Sequence, residues 1–156
     1  MIRQSDGVSL SAIINPESII FLEGRLSKEE VVRQLTEKIL PAVSGVISRK
    51  ALFDRVAEVE KLNPVLESGF YIPHAKFPDL DGFHAVLGIT PEGFPDAATG
   101  LTVKAVLLLL SPHKPEFFQR HLNMLSLLSQ TFQPEFIERL AALKDPAEVY
   151  ALIQSK

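Results

Sequence analysis

The segment that most constrains the fold is residues 103–110, VKAVLLLL, apolar at every position except Lys104. A strand with one wet face alternates apolar and polar residues, so a run that does not alternate needs cover on both faces. Its purely apolar part, residues 105–110, is far shorter than the roughly 20 residues that span a bilayer. The run therefore predicts a strand inside a helix-covered sheet, and no membrane insertion.

The flanking patterns supply the cover. Residues 27–40 read as a helix: Ser27 and Glu30 have capping-box spacing, Val31, Val32, Leu35 and Ile39 make one apolar face, and Pro41 follows. A second helix is expected after Ser48, with Leu52, Phe53, Val56 and Val59 inward and Asn63-Pro64 as its stop. Further strands are expected at residues 19–22, 70–72 and 83–89. Pro115 opens a helix running to about Phe132, and Pro134 and the cap Asp145-Pro146-x-Glu148 open two short ones. Helices alternating with strands predict an α/β fold, a mixed β-sheet sandwiched by helices. The chain of 156 residues contains no repeat or linker and reads as a single domain, 1–156.

Several functions are disfavoured at once. A net charge of −3 gives no general attraction to nucleic acid. The absence of cysteine excludes disulfides and thiolate chemistry and permits a reducing compartment. Residues 1–18 lack the basic-then-apolar order of a signal peptide, so a cytoplasmic location is expected. No phosphate loop, GxGxxG, GxSxG or HExxH is present, and no cofactor is expected.

The side chains with chemical potential near neutral pH are four histidines. His113, between Pro112 and Pro115, reads as an exposed turn residue, and His84 as a half-buried strand residue. His121 falls inside an apolar helical arc with Phe117, Phe118, Leu125, Leu128 and Phe132, opposite Gln119, Asn123, Ser126 and Gln130. A histidine there needs a hydrogen-bond partner, whether as an ordinary core residue or as part of a site at the sheet's edge. His74 follows Pro73, which stiffens the exit from the strand at residues 70–72 and places the imidazole near that strand's carboxyl end. Open α/β sheets bind ligands at such ends. A metal held by His74, His121 and a carboxylate lacks any short ligand-spacing motif and is not expected.

Taken together, Gly69-Phe70-Tyr71-Ile72-Pro73-His74-Ala75-Lys76, the segment His121-Leu122-Asn123-Met124-Leu125-Ser126-Leu127-Leu128 and the apolar strand ending in Ser111-Pro112 resemble the type-2 EIIA domains of the bacterial sugar phosphotransferase system (PTS). That class includes the mannitol, fructose and nitrogen-regulatory EIIA proteins, and the resemblance covers nearly the whole chain. It implies the mannitol-EIIA-like fold and a phosphoryl group accepted on His74 from a phosphocarrier protein. His121 would donate an N–H to the phosphoryl oxygens, and an EIIB domain or a regulated target would be the next partner. With no EIIB or transporter segment on the chain, a regulatory role is expected over a sugar-specific one.

The sequence departs from the family at three places. Ungapped counting puts Glu58 where members carry an arginine, and a one-residue gap puts Val59 there; Arg55 and Lys61 are the nearby cations that would replace it. Asn63 to Ser68 is bulkier and more acidic than the usual small-residue stretch, and Tyr71 stands for an alanine. A carboxylate beside the site would oppose a dianionic phosphoryl group. The alternative function is therefore a degenerate, non-phosphorylated EIIA-like binding module.

Overall fold

A computed structural model of the chain describes residues 9–156. Residues 1–8, which hold part of the stretch read for a signal peptide and the start of the expected 1–156 domain, lie outside the described residues. A short helix, α1 (Leu10–Ile13), and a 3-10 turn lead into β1 (Ile19–Phe21). Then follow α2 (Lys28–Val43), α3 (Arg49–Leu62), β2 (Phe70–Tyr71), β3 (His74–Phe77), β4 (His84–Pro95) and β5 (Thr102–Pro112). Three helices close the chain: α4 (Pro115–Thr131), α5 (Pro134–Ala141) and α6 (Pro146–Gln154).

The sheet runs β1-β4-β5-β2, with β3 on the same flank of β5 as β2. Only β4 and β5 are antiparallel, so the sheet is mixed as expected. Alternate residues of β5 feed two cores. Val106, Leu108 and Leu110 pack under α2 and α3 with Leu35, Leu52 and Val56. Ala105, Leu107 and Leu109 pack under the other helices with Met124, Leu128, Leu140 and Val149. Cover on both faces is why the apolar run never alternates, and each buried leucine contributes about 2 kcal/mol of transfer free energy. Gly88 lets α2 lie close to the sheet, for a Cβ there would come within 2.8 Å of Leu35.

The boundaries depart from expectation in physically legible ways. Helix α2 runs through Pro41 to Val43, whose burial holds the last turn against the core. Ser27 caps the helix by accepting from the Glu30 N–H, but Glu30 turns its carboxylate to Arg33 and Gln34 instead of completing the box. Phe53 is half-buried beneath the Arg49 guanidinium. Strand β4 extends past Ile89 through an irregularity to Phe94 and Pro95. On α4 the buried stripe is His121, Met124, Leu128 and Thr131, whereas Phe118, expected inside it, is 41% exposed. Phe117 and Phe118 lie in the first turn, where their rings meet Phe83 and His113.

The largest correction concerns His74. It does not follow a strand end; it opens β3. Pro73 has no N–H to give the ladder, yet its carbonyl accepts from Leu109 N at 3.0 Å. The register of Tyr71 on Val106 and His74 on Leu109 continues unbroken across it. β2 and β3 are one strand interrupted by a proline.

Candidate functional site

Along β3, Ala75 and Phe77 turn into the core under α2 and α3. Because side chains alternate across a strand, His74 and Lys76 face the α4 side, both half-buried. Two contacts orient His74. Its backbone N–H donates to Asn63 Oδ1 at 2.9 Å, so the residue that ends α3 also starts β3. Its ring Nδ1 lies 2.7 Å from the Ile72 carbonyl oxygen. A carbonyl only accepts, so Nδ1 carries the proton, and in the neutral ring the lone pair is on Nε2.

Across from it, α4 brings His121 to a ring-centroid distance of 5.5 Å, tilted by 52°. His121 is 4% exposed. Burial, reinforced by the His74 ring and the Lys76 ammonium, pushes its pKa down to about 4. The ring is therefore neutral near pH 7. Its Nδ1 is 2.7 Å from Ser111 Oγ at the end of β5. Among the described residues no fully buried polar side-chain atom lacks a partner. The Nε2 of His121 has no hydrogen-bond partner among the described residues and is therefore not fully buried. The other two histidines stand apart. His84 is half-buried on β4, across β5 from His74, with its pKa lowered by burial, and His113 is exposed against Phe118.

Lys76 is the cation that bears on the pair. Its Nζ lies 4.8 Å from the Phe118 ring centroid, one turn of α4 before His121. Arg55 and Lys61, the cations singled out in the sequence, show no contact with either histidine among the described residues. Arg55 is held instead by Glu58 at 3.4 Å on the exposed face of α3. Tyr71 lies in the other core layer, donating from its hydroxyl to the Glu60 carbonyl at 2.8 Å with the Lys28 ammonium over its ring. The tyrosine that replaces a small residue thus faces away from the histidines. Asn63 and Ser111 escaped the sequence reading as site residues. The signals for them were faint: a helix-stop asparagine, and one hydroxyl ending an otherwise apolar strand.

Large apolar side chains are exposed on the two helices that supply the site: Leu62 at the end of α3 is 76% exposed, and Leu122, next to His121 on α4, is 59% exposed. Among the described residues no group of three or more His, Asp or Glu side chains could hold a metal ion. None of their helices is long and apolar enough to cross a membrane. Chemically, the arrangement offers one imidazole nitrogen with a directed lone pair beside a second, buried imidazole able to hydrogen-bond whatever the first one carries.

Residues 12–156 match the family described as phosphoenolpyruvate-dependent sugar phosphotransferase system, EIIA 2. No curated protein matches the chain by sequence at a significant level. Among solved structures it is similar to the nitrogen regulatory protein IIA-Ntr of Neisseria meningitidis. The TM-score is 0.79 at 25% identity, over 92% of this chain and 98% of that one. It also resembles the crystal structure of IIA mannitol from Escherichia coli, with a TM-score of 0.68 at 23% identity over 90% and 98% of the two chains. The complex of enzyme IIA-Mtl and phosphorylated enzyme IIB-Mtl from Escherichia coli matches with a TM-score of 0.70 at 21% identity, over 92% and 98%.

Proposed function

The chain belongs to the type-2 EIIA family of the phosphoenolpyruvate-dependent sugar phosphotransferase system, and we propose that within it His74 accepts and passes on a phosphoryl group. The observation that carries this reading is the pair itself: His74 with its proton anchored on Ile72 O, 5.5 Å from a buried His121. In the proposed step the Nε2 lone pair attacks the phosphorus of a phosphorylated donor, the phosphocarrier protein of the system. An Nε2–P bond forms, the donor's bond to phosphorus breaks, and its electron pair returns to the donor. The proton stays on Nδ1, hydrogen-bonded to the Ile72 carbonyl, so the phosphorylated ring remains protonated and can later leave as neutral imidazole. His121 Nε2 hydrogen-bonds a phosphoryl oxygen, and the Lys76 ammonium lowers the cost of its charge.

The next partner in this reading is an EIIB domain or a regulated target, and the whole of residues 1–156 acts as one domain in the cytoplasm. Likeness to a nitrogen regulatory protein favours the regulatory role. The competing reading, a binding module that transfers nothing, draws on Arg55 being tied to Glu58 rather than turned to the site. Incubation with phosphoenolpyruvate, enzyme I and phosphocarrier protein decides between them. The carrier reading expects an acid-labile phosphate that His74→Ala abolishes. No label would leave the binding module, and a label that survives in His74→Ala would put the phosphate on another residue and overturn the role given to His74.

A further inference from the structure

Ser111 sits near the end of β5, 0% exposed, at the close of a strand otherwise apolar from Ala105 on. A hydroxyl in such a place costs free energy unless it is hydrogen-bonded. Its hydrogen bond among the described residues goes to His121 Nδ1 at 2.7 Å, and two arrangements would satisfy that distance. With the proton on Nδ1, the ring would donate to Oγ and the serine's own O–H would be buried without an acceptor. With the hydroxyl as donor, no buried donor is orphaned. The ring proton then sits on Nε2, which is not fully buried, on a ring whose centroid is 5.5 Å from that of His74. Unmet buried donors are the costlier defect, and the hydrogen bond at one imidazole nitrogen decides the state of the other.

We infer that Ser111 is a positioning residue that holds His121 in the Nε2–H tautomer, making it a hydrogen-bond donor to the phosphoryl oxygens on His74. The inference rests on the phosphoryl reading for its purpose, but not for its geometry. Two anchors of opposite character then give two identical side chains opposite roles. The Ile72 carbonyl accepts a hydrogen bond from Nδ1–H of His74, which leaves the ring's lone pair on Nε2. The Ser111 hydroxyl donates a hydrogen bond to the bare Nδ1 of His121, which leaves the ring's N–H on Nε2. The reverse tautomer of His121 would turn a lone pair toward phosphoryl oxygens, which repel it.

The test uses the ¹⁵N-labelled full chain, with no phosphoryl donor present, and long-range ¹H–¹⁵N spectra of the imidazole nitrogens. The native chain should show His121 protonated on Nε2 and bare on Nδ1. In Ser111→Ala an Nδ1–H population should appear, with phosphoryl transfer from the phosphocarrier slowed roughly fivefold to tenfold, the factor one net hydrogen bond carries. Ser111→Thr, which keeps the hydroxyl, should restore both. A native His121 protonated on Nδ1 overturns the inference, and so does a Ser111→Ala variant unchanged in tautomer and rate. If the native chain takes no label while the tautomers behave as stated, the positioning by Ser111 stands and the phosphoryl reading is what fails.

Discussion

His121 is the residue whose surroundings are most clearly bought against the grain of stability: a titratable ring packed into an apolar layer, neutral because burial disfavours its charge. Its folded pKa of about 4 lies below the ordinary histidine value. Between the two the unfolded chain binds more protons than the folded one, and stability rises with pH. The contribution is complete above about pH 6.5, is lost as pH falls toward 4, and is worth up to roughly 3 kcal/mol. His84, lowered by burial too, acts in the same direction. Urea unfolding at a series of pH values should show this loss, and His121→Gln should flatten it. An equal slope in that variant would mean that the ring's burial does not carry it. Lys76 supplies a second prediction at this scale. Lys76→Met keeps an apolar stem over Phe118 but removes the charge that lies near the pair, and phosphoryl transfer should fall on the order of tenfold.

Among the elements, the interrupted strand β2–β3 does most to place the chemistry. Pro73 breaks the strand's own N–H sequence, and Asn63 repairs the break by accepting from His74 N. Asn63→Ala should therefore cost about 1–2 kcal/mol by leaving that donor without its partner, lowering the thermal midpoint by roughly 2–8 °C in a chain of this size. A midpoint unchanged by the substitution would show that water replaces the contact freely. This element also marks the limit of what the residues alone disclose. The apolar run Phe70 to Ile72 and the proline were plain, as was the histidine after it. That His74 resumes the ladder depends on Leu109 two elements later accepting the register, which no local pattern encodes. Helix α4 teaches the same lesson. Its period was legible, but the centre of its buried stripe moved to Met124 because in the first turn Phe117 packs on Phe83, and Phe118 stays partly exposed against His113 and the Lys76 ammonium.

The whole molecule is organised by the strand that feeds two cores. Leu107 and Leu108 point into opposite layers and both are fully buried. Replacing either by alanine should destabilise the chain by about 2–5 kcal/mol, measured as a shift in denaturant midpoint. One tolerant position of the two would contradict a sheet covered on both faces. This architecture was legible in residues 103–110 because unbroken hydrophobicity has few other uses at that length. The candidate site was legible in its two histidines but not in the side chains that orient them, since Ser111 and Asn63 act through distances that only the assembled sheet sets. The same two-layer sheet places Tyr71 among one core and the histidines on the other face, so the bulky departure at that position does not bear on them. What remains for the molecule as a whole is whether the paired rings carry phosphate. Charging the native chain with phosphocarrier protein and recording the ³¹P–¹⁵N coupling on labelled histidine reads the bond directly. Phosphorus should be bonded to Nε2 of His74, with Nδ1 still protonated. Phosphorus on Nδ1, on another residue, or on none would contradict it.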